Sequence, residues 1–145
     1  MSTEKNLQEA FAGESQANRK YLAFAEKARQ EGYDSVARLF EATAEAETIH
    51  ALNEFKALGM VKSTRENLET AINGETYEFE SMYPPFIAEA EKEGHQSALR
   101  AFKFANEAEK VHAALYKQAL EDLDKGISHK YYLCPVCGNI EVDSA

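Results

Sequence analysis

Residues 21–51, YLAFAEKARQEGYDSVARLFEATAEAETIHA, return 62 positions later as residues 83–113, YPPFIAEAEKEGHQSALRAFKFANEAEKVHA. The two stretches agree at 13 of 31 positions, where about three agreements are expected for a chain this rich in Ala and Glu. Tyr21/Tyr83, Phe24/Phe86, Glu31/Glu93, Gly32/Gly94, Ser35/Ser97, Phe40/Phe102, Glu47/Glu109 and His50/His112 are among the pairs. Upstream the offset is 61, pairing Thr3/Thr64, Asn6/Asn67, Leu7/Leu68, Ala10/Ala71, Gly13/Gly74 and Glu14/Glu75. The chain therefore reads as two copies of one helical hairpin, residues 1–126, followed by a short tail over residues 127–145.

Each copy reads helix, turn, helix. Thr3 and Thr64 stand where N-caps belong, ahead of long patterns of period 3.6. Gly32 and Gly94 stand where a left-handed residue ends a helix, and Ser35 and Ser97 open the next one. Gly59 closes the second helix and Gly126 the fourth. The change of offset from 61 to 62 places one extra residue in the third helix, between Glu75 and Tyr83. A single inserted residue is commonly absorbed as a π-bulge, often at a functional site. Pro84-Pro85 follows directly, where a kink is expected. The fold class implied is all-α: an antiparallel four-helix bundle made from two repeated hairpins.

The helical stripes then show which acids matter. The first helix steps through Leu7, Phe11, Glu14, Ala17, Tyr21, Phe24 and Ala28; the second through Val36, Phe40, Thr43, Glu47 and His50. The third steps through Leu68, Ile72, Glu75, Glu78, Met82, Phe86 and Ala90; the fourth through Leu99, Phe102, Ala105, Glu109, His112, Tyr116, Leu120 and Leu123. Each stripe is apolar except at one level. Glu9, Glu26, Glu41, Glu45, Glu54 and Glu91 fall mostly off the stripes and read as solvated surface, as do His95 and His129. Tyr21 and Tyr83 fit either packing or a hydrogen-bonding role beside the acids.

Burying Glu14, Glu47, Glu75, Glu78 and Glu109 without partners would cost several kcal/mol each. A domain has only about 5–15 kcal/mol of net stability. No Lys or Arg lies on the stripes at that level, so bound cations are the simplest counter-charge. Two divalent ions nearly balance the five acids. The segments Glu47-Thr48-Ile49-His50 and Glu109-Lys110-Val111-His112 each put a carboxylate and an imidazole on one helix face. Together with one inward Glu from each of the other two helices, they match the known arrangement of di-iron carboxylate bundles. Mixed oxygen and nitrogen donors suit iron or manganese better than zinc.

The net charge of −9 argues against nucleic acid or an anionic membrane as partner. No stretch has the length and apolarity of a membrane span, and the first residues lack the apolar run of a signal peptide. A cytoplasmic protein is the expectation. Cys134 and Cys137, in Cys134-Pro135-Val136-Cys137-Gly138, have a spacing that reads as metal or redox chemistry.

The segments Ala12-Gly13-Glu14-Ser15-Gln16-Ala17, Glu47-Thr48-Ile49-His50-Ala51, Gly74-Glu75-Thr76-Tyr77-Glu78, Met82-Tyr83-Pro84 and Glu109-Lys110-Val111-His112-Ala113 resemble rubrerythrin, and the likeness spans essentially the whole chain. The resemblance implies a ferritin-like di-iron protein that reduces hydrogen peroxide to water in oxidative-stress defence, re-reduced by an external electron donor such as rubredoxin or an NAD(P)H-dependent reductase. It implies one iron on Glu14, Glu47 and either Glu78 or His50, and a second on Glu75, Glu109 and His112, with Glu47 and Glu109 bridging. It also implies that Glu78 and His50 exchange as ligands on reduction, and that Tyr21 and Tyr83 hydrogen-bond ligand carboxylates. The tail resembles the first knuckle of a rubredoxin domain. Cys134 and Cys137 would then hold Fe or Zn only if another chain or further residues complete the site. The resemblance further implies a homodimer, with the hairpins of a bundle drawn from one chain or exchanged between two. The alternative function is iron oxidation and storage of the ferritin type.

Overall fold

The computed structural model describes residues 2–143. The chain divides into two compact units, Met1–Lys62 and Ser63–Ala145. The first unit is a hairpin of α1 (Thr3–Gln30) and α2 (Asp34–Ala57). The second contains α3 (Thr64–Tyr77), a π-helical segment (Glu78–Met82), α4 (Tyr83–Glu93) and α5 (Gln96–Asp122), then a small antiparallel sheet of β1 (Tyr131–Leu133) and β2 (Ile140–Val142). Helix α3, the π segment and α4 together form the third helix of the repeat. Among the described residues, no helix is long and apolar enough to cross a membrane.

The N-caps lie one residue earlier than Thr3 and Thr64. Ser2 and Ser63 are the N-caps, both with extended backbone, and both are also a repeat pair at offset 61. The Ser63 hydroxyl accepts from the Glu66 N–H while the Glu66 carboxylate accepts from the Ser63 N–H, a reciprocal capping box. Serine can leave the helix at this position and still satisfy an otherwise orphaned donor, so the adjacent Thr becomes the first helical residue. At the other end of the first helix of each copy, Gly32 and Gly94 adopt φ of +85° and +70°, as expected. His95, expected to be merely solvated, caps α5: its Nδ1 accepts from the Ala98 N–H at 3.3 Å.

The extra residue of the second copy is absorbed as the offset suggests. Residues 78–82 are π-helical, and the Tyr83 N–H reaches back five residues to the Glu78 carbonyl. Pro84 and Pro85 come next; with no N–H to donate, they remove two rungs of the ordinary ladder beside the widened turn.

Packing inside each hairpin differs from a stripe of large side chains. The buried residues are Ala25, Ala28, Ala37, Ala44 and Ala51 in the first unit and Ala90, Ala108 and Ala113 in the second, with Asn18 and Asn106 as the buried polar groups. Small side chains along the seam let the helix backbones approach, and the larger stripe residues sit to one side. Phe24 and Phe86 remain 48% and 45% exposed. Their ring triads repeat closely: Phe24–Phe40 and Phe86–Phe102 centroids are 5.5 and 5.7 Å apart, and Tyr21–Phe40 and Tyr83–Phe102 are 6.0 and 6.1 Å apart. The face carrying the acids is thus the half-exposed side of each hairpin.

Candidate metal centre

Glu14 comes from the middle of α1, and Glu47 and His50 from one face of α2, three residues apart. One ligand-capable atom from each lies within 4.8 Å of the others. His50 Nδ1 is 3.4 Å from Glu47 Oε2 and 3.7 Å from Glu14 Oε2. The second copy repeats this with Glu75 from α3 and Glu109 and His112 from α5, again within 4.8 Å. His112 Nδ1 is 2.8 Å from Glu109 Oε2 and 3.6 Å from Glu75 Oε2. The helical period produces both trios, since i and i+3 share a face.

Within each trio, neighbouring acids raise one another's carboxyls. Burial pushes the Glu75 carboxyl up to about 7, reinforced by a hydrogen bond from Glu109 and by its charge. Glu14 is raised in the same way, first by its hydrogen bond to Glu47. Two carboxylates this close raise one another's affinity for a proton, and an opposite charge between them relieves the repulsion. Glu75 Oε2 is buried without a hydrogen-bond partner. A divalent cation would satisfy that oxygen, and two carboxylates and one imidazole per trio are donors that iron takes. The residues fit the group.

Glu78 opens the π segment, half-buried, and its carboxyl is raised by burial and then by the Glu109 charge. It therefore faces the second trio electrostatically without being one of the three. Tyr83 lies in the same field: burial raises its hydroxyl, followed by the charges of Glu109, Glu78 and Glu75. Tyr21 packs against Phe24 and Phe40. Burial and a hydrogen bond to the Gly138 carbonyl act in opposite senses on His112; with Glu109 and Glu75 added, the result is a raised value.

Two neighbours escaped the stripe reading. Glu54, read as solvated, is half-buried; its Oε2 is buried without a hydrogen-bond partner, and its charge acts on Glu14. It lies four residues after His50 and seven after Glu47, so the same helical spacing could have found it. Buried Asn18, one turn after Glu14, donates to the Ala44 carbonyl at 2.7 Å and to Thr48 Oγ1 at 2.8 Å. This ties α1 to α2 beside the trio.

In the tail, Cys134 and Cys137 sit on the turn joining β1 to β2, both free and half-buried. Backbone N–H groups of Cys137 and Val136, then the Cys137 thiol, lower the Cys134 thiol. That arrangement suits a metal-binding knuckle with two of its donors in place. His129, expected to be solvated, is paired instead: its Nδ1 lies 2.8 Å from Asp143 Oδ2.

The profile of the family described as rubrerythrin matches residues 5–120. Nigerythrin of Nitratidesulfovibrio vulgaris is 43% identical over 153 residues, covering 96% of this chain and 76% of that one. Rubrerythrin-2 of Clostridium acetobutylicum is 39% identical over 155 residues, covering 94% and 84%. A solved structure of nigerythrin in its fully reduced, all-ferrous state aligns at a TM-score of 0.57 and 42% identity, over 99% of this chain and 78% of that one. The fold is accordingly the ferritin-like helical bundle, and the chain belongs to the rubrerythrin family.

Proposed function

We propose that this protein is a non-haem di-iron peroxidase that reduces hydrogen peroxide to water in defence against oxidative stress. The cofactor is a di-iron centre. The observation that carries the reading is the pair of Glu–Glu–His trios, each built at an equivalent place in the repeat. Glu14, Glu47 and His50 would hold one iron and Glu75, Glu109 and His112 the other. Bound together, two ferrous ions supply the two electrons that convert hydrogen peroxide and two protons into two waters.

The protein's own groups do the rest. Glu78, whose carboxyl is raised by burial and then by the Glu109 charge, would serve as the ligand alternative to His50. The Tyr83 hydroxyl keeps its proton in the field of Glu109, Glu78 and Glu75 and can donate a hydrogen bond to a ligand carboxylate, as Tyr21 would in the first copy. The half-exposed faces bearing the trios admit a small, polar substrate. An external donor, rubredoxin or an NAD(P)H-dependent reductase, would return the electrons, and the working form would be a homodimer.

Ferritin-type iron oxidation and storage is the competing reading. Rapid mixing of the anaerobically reduced protein with peroxide and, separately, with oxygen distinguishes them through the ferric absorbance. The peroxidase reading expects fast oxidation by peroxide and slow oxidation by oxygen. The reverse preference would overturn it.

A further inference from the structure

The two trios come from repeated sequence, yet the position one turn beyond each histidine differs. Tyr116 follows His112 by four residues and Glu54 follows His50 by four; the two are a pair at offset 62. The second copy shows where this position points. Tyr116 lines a cavity of about 500 Å³ together with Glu75, His112, Leu68 and Leu115. Where the second copy turns a phenol toward its trio, the first copy has a carboxyl.

Helix geometry places Glu54 in the same way. Seven residues after Glu47, it comes within about 20° of completing two turns, and it lies about 6 Å along the axis beyond His50. The Phe11 and Phe55 rings stack with centroids 5.0 Å apart. The residue next to Glu54 is thus packed on α1 three residues before Glu14. Glu54 itself is half-buried, and its Oε2 is shielded from solvent without a hydrogen-bond partner. An acid oxygen held so costs free energy unless a positive charge faces it. Glu14 is raised first by its hydrogen bond to Glu47 and by burial, and the charge of Glu54 adds to them. With no cation between them, Glu54 and Glu14 oppose one another.

We propose that Glu54 belongs to the first metal position as an outer carboxylate, which strengthens the hold of Glu14, Glu47 and His50 on a divalent cation. It is not one of the three residues whose ligand atoms lie within 4.8 Å of one another. It acts on the cation from one turn away, as a supporting acid rather than as a donor of the trio. Each trio then has a fourth acid, from places that the repeat does not relate: Glu78 from the π segment and Glu54 from α2. The effect on the cation rests on the di-iron reading; the opposition between Glu54 and Glu14 does not. Groups just outside a metal's ligands typically change its affinity roughly 10–100-fold.

Three variants separate charge from shape. Glu54→Gln keeps the size and removes the charge, Glu54→Asp keeps the charge, and Glu45→Gln removes an exposed charge from the same helix. In anaerobic cobalt(II) titration of the full chain, Glu14→Ala identifies the step that belongs to the first position. That step should weaken roughly tenfold in Glu54→Gln, recover in part in Glu54→Asp, and stay unchanged in Glu45→Gln. Without metal the sign should reverse: at pH 8, Glu54→Gln should unfold at a higher urea concentration than the unmodified protein, because a repulsion has gone. A purely structural Glu54 would instead lower that midpoint with and without metal. Unchanged cobalt affinity in Glu54→Gln, equal weakening in Glu45→Gln, or a lowered metal-free midpoint each overturn the proposal. Uptake of fewer than two ions by the unmodified protein would contradict the di-iron reading instead, and the metal-free midpoints would still decide whether Glu54 opposes Glu14.

Discussion

At the scale of single residues, the chemistry rests on acids whose carboxyls the fold raises. Glu75 is the strongest case, raised to about 7 against an ordinary value of 4.5. A carboxyl whose folded value is raised binds its proton more tightly in the folded state, so that proton stabilises the fold. For Glu75 the contribution is full below the ordinary value and is lost as pH rises through the folded one. Urea unfolding of the metal-free protein should therefore show a component that weakens from about pH 5 to about pH 7. That component should be absent from Glu75→Gln, and absent again once metal is bound. The same proton must leave when metal enters. Calorimetry in buffers of differing ionisation enthalpy should report proton release on metal binding near pH 6, diminished in Glu75→Gln. A binding enthalpy independent of the buffer would contradict this.

At the scale of elements, the two features that differ from a plain hairpin repeat have separate consequences. The reciprocal cap of Ser63 and Glu66 serves stability: Ser63→Ala should lower the unfolding free energy by about 1 kcal/mol, read from denaturant midpoints, and leave iron content unchanged. The π segment serves the site. It holds Glu75, Glu78 and Tyr83 around Glu109 despite the extra residue. Deleting Phe79 should restore ordinary helix, keep the far-ultraviolet circular dichroism, and rotate Glu75 and Tyr83 by about 100° relative to each other. Oxidation by peroxide should then slow by roughly 10–100-fold. An unchanged rate with unchanged helicity would separate the π segment from the chemistry.

These features were unequally legible in the amino-acid sequence. The change of offset announced the π segment, because an insertion inside a strong repeat must be absorbed somewhere. The Glu-x-x-His pairs announced the trios, because helical period alone puts those side chains together. The exact caps were missed by one residue, since Ser and Thr are both good caps and only backbone conformation chooses between them. Glu54 was set aside with the surface acids although its spacing from His50 was visible. The Gly138 partner of His112 and the Asp143 partner of His129 were not legible at all. They depend on how the tail folds back on α5, a contact between segments 26 residues apart for His112 and Gly138.

At the scale of the whole molecule, the acid-bearing faces have a charge requirement that the chain's own basic residues do not meet. Arg29 pairs with Glu41, Lys103 with Glu91 and Lys110 with Glu107, acids outside the trios. Sedimentation equilibrium should give twice the 16.2 kDa chain mass; a large closed shell would favour the storage reading. The proposed chemistry depends on the two trios holding two ions. Anaerobic titration with ferrous iron, counted per chain, tests this most directly. The unmodified protein should bind two irons, and Glu47→Ala and Glu109→Ala should each bind fewer than two. Two irons per chain retained in both variants would contradict the assignment of the site.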